Sequence, residues 1–289
     1  MTSNPLSKYY RRPAMFVSLP TKGMFNPEIE TTALDEIGVL PMTAMDEITM
    51  KNPDALLNGE ALISLIKSCV PSIPNPRNLC TIDMEALYLA IRYATFGKEM
   101  TFSNKCTKCG ETNDFNLDIN YLLNRFPEFD EVPVVEHEDI KIYLRPPTVE
   151  STTRRAMIEL EQSRIIESIR VSLINDEGNK EGDDVVDDEE ISRKFYNSYI
   201  KIAKYNIDMI SNVINYIETP DGERVSDHEQ INEFINNVHS SVVDQINKKI
   251  KDITKKPKEV SEFEVTCPEC SNLDKISLET NPVNFSEAG

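Results

Sequence analysis

Four of the six cysteines fall into two short turns, Cys106-Thr107-Lys108-Cys109 and Cys267-Pro268-Glu269-Cys270. A CxxC turn points two sulfurs at one place, and two such turns supply the four thiolates of a tetrahedral zinc site. Closing that site is worth on the order of 10 kcal/mol of folding free energy. It would tie residue 106 to residue 270 and make everything between them an insertion. Four thiolates leave no open coordination position, so the site expected is structural, not catalytic. The competing readings are a redox dithiol, two unrelated pairs, or two half-sites completed by other chains.

The turns need strands to hold them, and the flanking sequence supplies them. MTFSNK precedes the first pair and GETNDFNL follows it; FEVT and SNLDKISL flank the second. Gly110 supplies the left-handed residue that commonly follows the second cysteine. Ser271 stands at the equivalent place and is a departure from that pattern. The gap of residues 110–266 is a larger departure, far longer than a simple zinc ribbon allows.

Other chemistry is thin. The acidic run at 175–190 invites a calcium-loop alignment through Gly182, with Glu177, Asn179 and Glu181 in the first ligand places and Asp188 last. That loop would open with Glu and end with Asp, the reverse of what bidentate coordination needs, so a solvated linker between helices is expected. His137, His228 and His239 are scattered. Cys69 and Cys80 lack ligand spacing and read as buried thiols. Arg11-Arg12 and Arg154-Arg155 read as surface or ion-pair residues. No phosphate loop, HExxH or GxSxG occurs, and no catalytic residue is assigned: the expectation is a non-enzyme.

The chain has 289 residues, 39% of them apolar, with 31 basic and 49 acidic side chains and a formal charge of −18. Such a surface repels nucleic acid and anionic lipid at long range and suits basic protein partners. The N-terminus has no apolar signal core, and no run approaches the roughly 20 apolar residues of a membrane helix. A reducing cytoplasm is therefore expected, where paired CxxC turns serve as metal ligands.

The expected class is α+β: mainly helical, with a small antiparallel zinc-ribbon-like β subdomain and a helical insertion between its two knuckles. Residues 1–42 read as an extended arm with short strands. Residues 43–97 read as three helices: one opened by a Thr43–Asp46 capping box, one starting near Pro53 and bending at Asn58-Gly59, and one capped by Thr81 and ended by Gly97. Residues 98–147 carry the first knuckle and its strands. Residues 148–258 read as a helical lobe: helices from Thr148 to about Leu173, from Asp188 to Tyr216, from a Ser226–Glu229 capping box onward, and over about 240–254. Residues 259–289 carry the second knuckle and a loose tail beyond Thr280.

One stretch is recognisable. LPMTAMDEITMKNPDALLNGEALISLIKSCVPSIPNPRNLCTIDMEALYLAIRYATFGKEM (40–100) resembles the baseplate hub family of T-even-type tailed bacteriophages. RRPAMFVSLPTKGMF (11–25) fits its N-terminal signature, and DALLNGEA, KSCVP and AIRYATFG carry most of the likeness. The resemblance covers roughly residues 11–175, with Cys106 and Cys109 matching a CxxC that the family tends to show. It implies a structural subunit or assembly factor of the central hub of a contractile-tail baseplate. Its partners would be other tail and hub proteins, with no nucleic acid, membrane or small-molecule substrate. It would act in the host cytoplasm during assembly and could remain in the virion tail. The rival is a zinc-ribbon nucleic-acid-binding or regulatory phage protein. Such a protein needs a basic face, yet only Lys105 and Lys108 flank the first knuckle, and Glu262, Glu264 and Glu269 surround the second.

Overall fold

Cap chemistry and strand pairing set the elements of this protein, described as a computed structural model over residues 4–52, 55–56, 59–178, 188–255 and 262–277. In chain order the first are β1 (Met15–Val17), β2 (Ile37–Val39), α1 (Ala44–Met50), α2 (Glu60–Cys69) and α3 (Thr81–Phe96). Then come β3 (Glu99–Lys105), β4 (Thr112–Asp118), α4 (Ile119–Leu123), β5 (Val134–His137) and β6 (Ile140–Leu144). The last are α5 (Val149–Gly178), α6 (Asp188–Asn212), β7 (Ile214–Glu218), β8 (Arg224–Val225), α7 (His228–Asn237), α8 (Ser240–Thr254), β9 (Glu262–Thr266) and β10 (Leu273–Ser277). Mixed helix and small antiparallel sheets match the expected class. The chain divides into two compact units: one runs up to Val132 and resumes at Thr254, and the other is Pro133–Ile253.

In the first unit α1 opens on the expected capping box. The Thr43 hydroxyl accepts from the Asp46 N–H, and the Asp46 carboxylate accepts from the Thr43 N–H at 2.7 Å. Arg11 then fastens the N-terminal arm to the ends of two helices. Its guanidinium donates to the Pro41 carbonyl (2.6 Å), to the Ser68 carbonyl (2.6 Å) and hydroxyl (2.7 Å), and to Asp46 (3.3 Å). Burial works against the Asp46 charge, but Thr43, Ser68 and Arg11 together hold its carboxyl below the usual range.

The helix α3 is buried almost continuously from Ile82 to Arg92, so it has no wide polar face and serves as the core element of this unit. Its N-cap is Cys80, not the expected Thr81, and no side chain caps it. Gly97 ends it at φ 91, as expected. The expected helix start at Pro53 and its bend at Asn58 fall outside the described residues; α2 starts after Gly59 at φ 74.

Directly after Gly97 the chain turns into the β3–β4 hairpin, in register from Glu99↔Asp118 to Lys105↔Thr112. Met100 and Ile119 root the hairpin in the core, and the stacked pair Phe102–Phe115 (5.7 Å between centroids) stiffens it midway. The first cysteine pair sits at its tip. The strands β9 and β10 form a matching antiparallel hairpin, from Ser277↔Glu262 to Leu273↔Thr266, with the second pair at its tip.

The second unit departs from the sequence reading. Residues 214–216, read there as the end of a long helix, belong to the strand Ile214–Glu218 inside a four-stranded antiparallel sheet ordered β5-β6-β7-β8. Ile-Asn-Tyr-Ile carries residues that serve either period, and β6 offers the edge that decides the matter, pairing Ile142 with Ile217. The strands β5 and β6 thus pair with β7, not with the knuckle strands. One face of this sheet, through Val135, Ile142 and Ile217, packs with Ile231 and Ile235 of α7 and Val242 and Ile246 of α8. The cap of α7 is Asp227, one residue later than expected, accepting from the Gln230 N–H at 3.0 Å. The helix α5 runs on to Gly178, past the expected end near Leu173. It lies antiparallel to α6 through Tyr205 to the Ser151 carbonyl (3.0 Å) and Lys201 to Glu161 (2.8 Å). The central part of the acidic run, residues 179–187, lies outside the described residues, as does the tail beyond 277.

Candidate metal centre

Each cysteine pair is presented by the same backbone turn. In the first, the Cys106 N–H donates to the Glu111 carbonyl (2.8 Å) and the Gly110 N–H donates to the Cys106 carbonyl (3.0 Å). In the second, Cys267 to Asn272 and Ser271 to Cys267 repeat these bonds, both at 2.9 Å. Gly110 takes φ 77 and Ser271 takes φ 56. The serine therefore adopts the left-handed conformation that glycine adopts freely, at a cost of about 1 kcal/mol. The departure in sequence is not a departure in shape.

The turns converge. Cys106 Sγ lies 3.6 Å from Cys270 Sγ, Cys109 Sγ lies 3.7 Å from Cys267 Sγ, and all four sulfurs fall within 4.8 Å of one another. A tetrahedral ion with metal–sulfur bonds of about 2.3 Å sets its sulfurs about 3.8 Å apart. A disulfide would hold two of them at about 2.05 Å. The four are free thiols spaced to hold one metal ion. Cys106 and Cys267 are buried, Cys270 is half-buried and Cys109 faces solvent.

Local donors favour charge at one sulfur first. Burial raises the Cys267 thiol, but the backbone N–H groups of Cys270 and Glu269, with the neighbouring thiols of Cys109 and Cys270, outweigh it and bring it down to about 7. At Cys109 the Glu111 backbone N–H favours the thiolate, while desolvation and the crowd of sulfurs around it prevail and push it up to about 12. A divalent ion bound by thiolates displaces the protons of the thiols that take it up.

A polar cluster that sequence reading missed surrounds the sulfurs. Asp274, only 7% exposed, accepts from the Thr107 N–H (3.1 Å), from the Thr107 hydroxyl and from the Asn272 amide (2.8 Å). Asn113 donates to Cys267 Sγ at 3.4 Å. The available signal was positional: Asn113 and Asp274 each stand four residues after the second cysteine of a pair. Away from the cluster, Cys69 is buried and its thiol is pushed up to about 11, chiefly by that burial. Cys80 is buried at the start of α3. His228 lies 3.1 Å from Asp208 in the other unit. Among the described residues the sulfur cluster gathers no histidine and no carboxylate ligand.

The chain matches the family model described as T4 bacteriophage base plate protein over residues 24–285. That span includes both cysteine pairs and everything between them. Compared with curated proteins and with solved structures, the chain finds no match in either.

Proposed function

The chain belongs to the T4 bacteriophage base plate protein family, and from that membership we propose that it is a non-enzymatic part of the baseplate hub of a contractile tail. It acts there through contacts with other tail proteins, as a structural subunit or as an assembly factor. The family match over residues 24–285 carries this reading. The hub assignment rests further on the segments DALLNGEA, KSCVP and AIRYATFG. Among the described residues, the His, Cys, Asp and Glu side chains gathered closely enough to hold a metal ion are the four cysteines of the two knuckles, a set suited to cross-linking.

Cys106, Cys109, Cys267 and Cys270 hold a structural Zn²⁺, which makes a two-hairpin zinc ribbon of β3–β4 and β9–β10. The spacing of the sulfurs and the repeated turn support it. Bound zinc would supply cross-linking alone, because a complete thiolate shell leaves no position for water or substrate. The chain's own residues do the rest: the knuckle amides set the sulfur positions, and the paired strands hold the knuckles.

The deciding experiment is an infection by phage lacking this protein. Baseplates should fail to complete; complete contractile baseplates would end the hub proposal. Elemental analysis of the purified chain should give one zinc per molecule. Tight binding to plain duplex DNA at physiological salt would instead favour the nucleic-acid reading.

A further inference from the structure

The two knuckles correspond residue by residue: Cys106 with Cys267, Cys109 with Cys270, Gly110 with Ser271, Glu111 with Asn272. The correspondence breaks where the two hairpins meet. Thr107 corresponds to Pro268, and Asn113 corresponds to Asp274. These differences are linked by hydrogen-bond chemistry. Thr107 offers an N–H and a hydroxyl, and Asp274 of the other hairpin accepts both. Asn272 closes the cluster by donating to Asp274 at 2.8 Å and to Thr107 Oγ1 at 3.3 Å. Pro268 has no N–H and no hydroxyl. A carboxylate at 113 would find no matching donors there and would add negative charge beside four sulfurs. Asparagine stands there instead and donates its amide to Cys267 Sγ.

We propose that these two positions divide the work: Asp274 latches the second hairpin onto the first knuckle without help from metal, and Asn113 supports the charge on Cys267 when metal is bound. The latch rests on protein hydrogen bonds alone. The Asn113 half rests on the zinc reading above. A pre-latched ribbon presents its four sulfurs together, so an ion enters a formed site from the exposed Cys109 side and does not have to gather two distant chain segments.

Hydrogen exchange on the full-length, metal-free chain tests the latch. The Thr107 amide and the β9–β10 amides should be protected, and Asp274→Ala should speed their exchange at least tenfold. Asp274→Asn, which keeps one acceptor oxygen, should give intermediate protection. In the zinc-loaded protein the differences should shrink. Equal exchange in metal-free wild type and Asp274→Ala would overturn the latch. For Asn113, zinc competition against a chromophoric chelator should show a 10–100-fold loss of affinity in Asn113→Asp, as for other partners of metal ligands. Its metal-free exchange should be unchanged. Unchanged zinc affinity would overturn that role. A chain that binds no zinc but shows Asp274-dependent protection would sink the zinc reading and leave the latch standing.

Discussion

Asp83 is a buried carboxyl without exposure, held by the Thr21 N–H at 2.9 Å and the Thr21 hydroxyl at 2.5 Å. Burial pushes it up to about 6 from the ordinary 3.8, and the two Thr21 bonds only partly resist. The folded state therefore binds this proton more tightly than the unfolded chain. The resulting stabilisation is fully present below pH ~4 and is lost as pH rises through ~6, at about 3 kcal/mol in total. Asp83→Asn keeps an acceptor for the Thr21 N–H and removes the titration. Urea unfolding at pH 4 and pH 7.5 should show the variant gaining about 2.4 kcal/mol on wild type across that range. A constant gap would show that Asp83 titrates normally. Single residues of this kind were poorly legible in sequence. Asp83 is one acid among 49, and only the packing of α3 against the segment at Thr21 marks it. The four cysteines were legible because their chemistry is carried by spacing.

At the level of elements, turns and caps were read with mixed success, for a physical reason. Thr43, Gly97 and Gly110 act within their own few residues, so local sequence suffices. The strand β7 was misread because pairing with β6 is non-local. Two element-scale substitutions follow. Ser271→Gly relieves a left-handed serine and should raise the stability of the β9–β10 hairpin by up to about 1 kcal/mol, with zinc affinity unchanged. Thermal melts with and without chelator would check it; a loss of stability would mean the serine makes a contact worth more than its strain. In the α5–α6 pair, Gln162 is 2% exposed, and among the described residues neither its amide nitrogen nor its oxygen has a hydrogen-bond partner. Gln162→Leu should remove a desolvation cost of roughly 1–3 kcal/mol and raise the thermal midpoint.

For the whole molecule, the proposed clasp and the second unit should respond differently to metal removal. The Pro133–Ile253 unit buries its own aliphatic core around Ile142, Ile217, Ile231 and Ile246. A strong chelator should lower the protection of the β9–β10 amides while amides of β6 and β7 keep theirs. Loss of both together would show that the two units unfold as one. Cys267→Ser should lose the zinc and, in an infection, reduce baseplate completion; normal completion would make the clasp dispensable. The sequence by itself determined the two CxxC turns proposed as metal ligands, the family resemblance, the acidic character and the helices with strong local caps. All of these live in residue type and short spacing. The tertiary structure decided that the two knuckles, about 160 residues apart in the chain, meet at 3.6–3.7 Å. It also decided that 214–218 is a strand, that Asp83 is buried, and that Asp274 answers Thr107. Each of these depends on a partner far away in the chain, and neither periodicity nor composition records which partner that is.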